Sequence, residues 1–272
     1  MTDDLQTGLR AQFGDKGLWV VPGTAIPLPL QVGPYFAAPE PSEPALLGEF
    51  AGILGWEAGP VAGRLRVGYD NGAQLYVAEG GAVRAVVLGS SMPELAVNSS
   101  VEALAAGLLL LDRHLPRIGD DQDETAALTA YQQLRQGLLE LDPAAFEDRE
   151  SWWPRVLDDL RRPLNAVSSS AFEFVDEGGE KRIVTAISGP GMPHPEEMVW
   201  HRLQAAGIEP EQVTQVYCEL EPCMMPGHYC ALWMADVFTE AQFTHRFDYG
   251  RTAESRDEGV KALMISVAER QD

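Results

Sequence analysis

Apolar and polar residues alternate with a period of two over three short runs, Arg64 to Tyr69, Ala73 to Ala78 and Ala82 to Leu88. Asp70-Asn71-Gly72 separates the first pair and Glu79-Gly80-Gly81 the second. Glycine accepts positive φ without strain, so these dipeptides between alternating runs predict tight turns and an antiparallel meander. Before the meander, Thr2 to Gln12 reads as a short helix and Leu18 to Pro29 as β-rich chain broken by prolines. Gln31 to Pro44 holds four prolines and reads as extended loop. After the meander, Val97-Asn98-Ser99-Ser100 supplies capping side chains for an apolar helix over Val101 to Leu115. The acidic stretch Asp120 to Glu124 is expected as a solvated loop, followed by a helix over Thr125 to Leu141 that Asp142-Pro143 ends. Ser151-Trp152-Trp153-Pro154 starts another helix, ending near Arg162.

Beyond Arg162 the pattern changes. Ala171 to Asp176 and Lys181 to Ser188 alternate around Glu177-Gly178-Gly179-Glu180, a second hairpin signal. A Gly/Pro loop from Ser188 to Pro193 leads to a helix over Glu196 to Ala206, with Pro195 at its first position and Gly207 after its end. Val213 to Leu220 reads as a buried strand, Tyr229 to Phe238 as a helix, Gln242 to Phe247 as a strand and Thr252 to Arg270 as a last helix. The order β-β-α-β-α-β-α predicts a mixed sheet covered by helices. The chain is therefore expected to hold two domains, residues 1–162 of α+β class and residues 163–272 of α/β class.

The net charge is −21, and both halves are acidic. A protein that grips a phosphate backbone over many nucleotides carries a basic stripe; none is visible. Nucleic-acid contact must be local, or the substrate small, or the partner itself basic. No run reaches the roughly 18 apolar residues of a membrane span, and the polar stretch from Met1 to Asp15 has no signal-peptide pattern. Cys218, Cys223 and Cys230 lie within thirteen residues. An odd number so close together suggests metal ligands plus a spare rather than disulfides, and a reducing, cytoplasmic location.

The chemistry concentrates between Pro193 and Cys230. His194 stands at one helix start, Cys223 directly after a central strand, and Cys230 at the next helix start. Consecutive crossover units bring such positions to one edge of a sheet. One histidine and two cysteines can hold Zn²⁺ and leave a fourth position open. Helix N-termini favour negative charge and so lower cysteine pKa values. Glu196, two residues after the histidine, is placed to move protons. Cys218 alternates with Val216 and Leu220 and reads as a small buried residue; His228 could stand in for Cys230.

His194-x-Glu196, followed by Pro222-Cys223 and a second cysteine, resembles the H-x-E…P-C-x-x-C signature of zinc-dependent nucleoside and nucleic-acid deaminases, especially the bacterial toxin-type branch. The cysteines are six residues apart instead of two, and Met225-Pro226-Gly227 can turn the chain back. The resemblance implies a cytidine-deaminase-like sheet, His194, Cys223 and Cys230 as zinc ligands, Glu196 as the proton shuttle, and a nucleotide or single-stranded nucleic acid as substrate, cytosine-type bases being favoured. It also gives Asn165, just before the hairpin, a place on the sugar.

The first half resembles the SUKH superfamily of bacterial immunity proteins. The residues that carry this are Leu30 to Phe36, Leu65-Arg66-Val67-Gly68, Val97-Asn98-Ser99-Ser100 and Asp142 to Pro154. It implies that residues 1–162 bind a protein, a toxin or another basic partner, and carry no catalytic residues. Two other readings of the whole chain stay open: a non-enzymatic interaction protein that keeps the deaminase fold, and a purely structural zinc site completed by Cys218 or His228.

Overall fold

The computed structural model describes residues 2–120 and 123–270. The chain divides into two compact units, Met1–Arg117 with Thr129–Leu157, and Ile118–Leu128 with Asp158–Asp272. The elements run α1 (Thr2–Phe13), β1 (Leu18–Val20), β2 (Pro27–Pro29), β3 (Gln31–Val32), β4 (Phe36–Ala37), α2 (Leu47–Ile53), β5 (Leu65–Tyr69), β6 (Gln74–Val77), β7 (Val83–Val86), β8 (Leu95–Asn98), α3 (Val101–Ile118), α4 (Glu124–Leu141) and α5 (Trp152–Asn165). They continue with β9 (Ser169–Val175), β10 (Lys181–Ile187), α6 (Pro195–Ala205), β11 (Val213–Leu220), α7 (Cys230–Val237), β12 (Gln242–Phe247) and α8 (Ala253–Glu269). The chain passes between the units at the end of α3, inside α4 and inside α5, whereas a single boundary after residue 162 was expected. Of the acidic loop expected over Asp120 to Glu124, residues 121–122 lie outside the described residues. Among the described residues no helix is long and apolar enough to cross a membrane.

The first unit is α+β. Its main sheet is antiparallel with the order β3-β4-β5-β6-β7-β8, and β1 pairs with β2 separately. The meander expected from the alternating runs forms β5 to β7, and Asn71 takes the left-handed conformation (φ 63°) that the tight turn requires. Three strands were not evident in the sequence pattern: β3 and β4 inside the proline-rich stretch, and β8 just before the caps of α3. Behind the sheet, Trp152 and Trp153 are fully buried and meet edge to face, 4.7 Å between centroids. Each indole must find an acceptor in this dry core. Trp152 Nε1 donates to Asp70 Oδ2 (2.6 Å) and Trp153 Nε1 to Asn98 Oδ1 (2.9 Å). Asn98 Nδ2 in turn donates to Asp142 Oδ2 (3.0 Å), which also accepts from Ser99 N (2.7 Å). The Asn-Ser, Asp-Pro and Trp-Trp motifs therefore form one buried polar network. A Cβ on Gly68 would overlap the Phe36 ring, which explains that glycine.

The second unit is α/β. Its mixed sheet has the order β10-β9-β11-β12, with β9 antiparallel to both neighbours and β11 parallel to β12. The hairpin turn closes on Asp176, whose Oδ1 accepts from Gly178 N and Glu180 N, with Gly179 at φ 80°. Helix α6 packs on β9 and β10, and α8 on β11 and β12. Between helices and sheet lies a core of Phe172, Val199, Leu203, Val216 and Leu263. Phe238 closes it against Phe172 and Trp200, edge to face at 5.4 and 4.9 Å.

Asn98 holds the first unit's network together, so Asn98→Ala leaves the Trp153 N–H without its acceptor and Asp142 Oδ2 with Ser99 N alone. The expected cost is about 1–3 kcal/mol for stranding buried polar groups, read as a lower urea midpoint of the tryptophan fluorescence transition. An unchanged midpoint would contradict the assignment.

Candidate metal centre

The geometry follows from three chain ends at one edge of the second sheet. His194 is the N-cap of α6, with extended backbone (φ −62°, ψ 152°), and Pro195 occupies the first turn, where its missing N–H costs nothing. The His194 backbone N–H donates to Glu197 Oε2 (2.7 Å), which fixes this cap. Cys223 follows β11 after Glu221-Pro222. The chain then turns over Met225-Pro226-Gly227: His228 N and Tyr229 N both donate to Met225 O, and Gly227 sits at φ 84°. Tyr229 is left-handed (φ 41°) and places Cys230 at the first residue of α7. Ala231 N donates to Cys223 O (3.0 Å), closing the loop that the longer cysteine spacing opens.

His194 Nδ1 lies 3.4 Å from both Cys223 Sγ and Cys230 Sγ. The three ligand atoms lie within 4.8 Å of one another, and all three residues are buried. A tetrahedral zinc with Zn–S near 2.3 Å and Zn–N near 2.0–2.1 Å sets a nitrogen and a sulfur about 3.5–3.6 Å apart. The three side chains fit that spacing. Among the described residues no fourth His, Cys, Asp or Glu joins them. Cys218 is buried outside this group, paired across the sheet with Ser170. Its hydrogen bonds run to Ser170 and Glu196, and burial pushes its thiol far up. His228 is taken by two carboxylates: Nδ1 lies 2.8 Å from Glu197 Oε2 and Nε2 3.3 Å from Asp159 Oδ2.

The cysteines differ in charge. Burial raises both thiols, but the hydrogen bond from Cys230 and the adjacent His194 bring Cys223 well below the usual thiol range. Cys230 stays well above it, through burial and then the Cys223 thiolate beside it. The helix N-terminus was expected to lower a cysteine's pKa; at Cys230 burial, and then the neighbouring Cys223 sulfur, outweigh it. A divalent cation is the species that relieves this repulsion and lets both sulfurs ionise.

Glu196 lies in the first turn of α6 and is buried. Its Oε1 accepts from Ser170 Oγ (2.7 Å). Asn165, the last residue of α5, is exposed and stands outside the cluster. It lines a small pocket with Arg161, Arg162, Tyr249 and Arg256. Tyr249 is buried, and Trp233 and Phe247 pack against the core.

Several neighbours of the centre were not found by sequence reasoning. Asp159 Oδ1 lies 2.9 Å from His194 Nε2. Arg162 Nη2 lies 2.8 Å from the same nitrogen, and Arg162 Nη1 donates to Ser168 Oγ. The one signal for Asp159 was helical period: it falls seven residues after Trp152 and three after Val156, on the buried side of the helix. Burial works against the Asp159 charge, but the His194 and His228 rings outweigh it and hold its carboxyl well below the usual range.

Burial likewise works against a charged His228, but Asp159 and then Glu197 hold its proton well above the ordinary value of 6.5. A histidine with a raised folded pKa stabilises the fold fully below its unfolded value and loses that contribution as pH rises through the folded one. From this group the metal-free chain should lose up to about 1.4 kcal/mol per pH unit above roughly pH 6.5. Thermal unfolding in chelator from about pH 6 to 9 checks this. His228→Gln should be less stable at the lower pH and flatter across the range; parallel curves would contradict it.

Residues 24–159 match the family model of SUKH-4 immunity proteins, and residues 167–266 match that of a Xanthomonas-like deaminase. No curated protein and no solved structure matches the chain. Arg162 lies between the two matched stretches, and Asp159 is the last residue of the first. Through a match that spans half of its length the chain belongs to the SUKH-4 immunity protein family, and a deaminase-family domain follows in the same chain.

Proposed function

We propose that residues 163–272 act as a zinc-dependent hydrolytic deaminase on a base, cytosine-type, of a nucleic acid or nucleotide, and that residues 1–162 bind a protein partner, a toxin or another basic protein. The observation that carries the deaminase reading is the equal 3.4 Å approach of His194 Nδ1 to two cysteine sulfurs inside a deaminase-family domain. It is supported by the lack of a fourth protein ligand among the described residues, which leaves the fourth position of a tetrahedral ion to water. A purely structural zinc would need Cys218 or His228 as that ligand. Cys218 lies outside the cluster, and both ring nitrogens of His228 face carboxylates.

In this reading His194, Cys223 and Cys230 hold the metal. A bound zinc supplies Lewis acidity that makes water a nucleophile near neutral pH. Glu196, held by Ser170, accepts the proton of the attacking water and delivers it to the ring nitrogen, then carries the remaining hydroxyl proton to the amine, which leaves as ammonia. The balance is one water consumed and one ammonia released per base. Asn165, on the rim of the pocket beside Arg162, contacts the sugar. The acidic charge of −21 supports a basic protein partner and a substrate held locally rather than along a long backbone. Three free cysteines support a reducing, cytoplasmic setting.

The test is ammonia release from single-stranded DNA, RNA and free cytidine and adenosine nucleotides, with zinc measured in each protein. Glu196→Gln should keep zinc and lose about 10²–10⁴-fold of the rate, as expected for a general acid–base group. Cys223→Ser should lose both zinc and activity, while Cys218→Ser should keep zinc. Unaltered turnover in Glu196→Gln contradicts the mechanism. Loss of zinc in Cys218→Ser favours the structural site.

A further inference from the structure

We propose that Asp159 and His228 are positioning residues that clamp the ligand ring of His194, with the long turn between the cysteines supplying half of the clamp. The inference rests on the metal-centre reading above. His194 can offer the Nδ1 lone pair to a metal only if its proton sits on Nε2. Asp159 Oδ1, at 2.9 Å, accepts that proton's hydrogen bond and so selects this tautomer. Arg162 Nη2 approaches the same Nε2 at 2.8 Å, but two donors cannot bond each other; Arg162 then acts on Asp159, 3.9 Å away.

His228 fixes the ring in the other directions. It lies parallel to His194, 3.8 Å between centroids and 9° between planes, and covers one face. Its Nε2 reaches the second oxygen of Asp159 and its Nδ1 reaches Glu197, which also holds the His194 backbone N–H. Contacts thus close from the His194 backbone through Glu197, His228 and Asp159 back to the His194 ring. Asp159, His194 and His228 are each 3–4% exposed, so water does not compete for these bonds. His228 belongs to the six residues between Cys223 and Cys230, whereas a two-residue spacing has no position for it. Asp159 comes from α5, ahead of the stretch that matches the deaminase family. The longer cysteine spacing is therefore an added support for the ligand.

The experiment uses the full chain stripped of metal and titrated with Co²⁺, read by its visible bands and its thiolate-to-cobalt charge-transfer absorption. The variants are Asp159→Ala, Asp159→Asn and His228→Phe, the last keeping a stacked ring but losing both carboxylate bonds. The parent should bind one Co²⁺ with the thiolate band. Asp159→Ala should keep that band and bind about 10–100-fold more weakly, as for loss of a partner behind a metal ligand. Asp159→Asn, which still offers an acceptor oxygen, should recover part of the affinity, and His228→Phe should bind about 10-fold more weakly. If Asp159→Ala fails to fold by circular dichroism, His228→Phe decides. Folded variants that bind Co²⁺ within about twofold of the parent overturn the clamp and leave the metal centre standing. A parent that binds no Co²⁺ overturns the metal centre and the clamp together.

Discussion

A set of ionisable side chains shares one dry region of the second unit, and each is tolerable there only beside a partner that compensates it. Asp159, Arg162, His194, Glu196 and His228 are all at least nine-tenths buried, with Cys223 and Cys230 among them. An unpaired charge in such a place costs several kcal/mol. The Asp159 carboxylate answers two histidine rings, the Cys223 thiolate answers His194 and Cys230, and Ser170 answers Glu196. Two helix starts and the end of a central strand converge to make this possible. The core of Phe172, Val199, Leu203 and Phe238 holds those ends in register.

Much of this second unit was legible from local rules. The hairpin, β11, α6 and β12 lie where alternation, glycine turns and a first-turn proline put them, because each rule acts within a few residues. The order of His194, Glu196, Cys223 and Cys230 was legible for the same reason. The partners were not. Asp159 and Ser170 reach the centre across separations of 35 and 26 residues; helical period marks Asp159 as inward-facing, but no motif marks which residue it meets. His228 is the instructive case: it read as a spare ligand, and its two carboxylate neighbours give it another place.

In the first unit the failures have physical causes too. Strands β3 and β4 are two residues each and sit among prolines, which read as loop. Strand β8 has four residues and ends in Asn98, whose capping character masked its role as the hub between Trp153 and Asp142. The residues that carry the SUKH resemblance are thus mostly packing and hydrogen-bonding residues of this unit. They explain why the fold is identifiable, and they say nothing of which surface meets a partner.

In the proposed site one histidine and two cysteines hold a zinc ion with one position left for water. X-ray absorption at the zinc edge of the full-length protein tests it without reference to any substrate. The expected shell is two sulfurs near 2.3 Å and two light atoms near 2.0–2.1 Å, one from His194 and one from solvent. A shell of three sulfurs, which would bring Cys218 into the site, or a shell with no sulfur at all would contradict it.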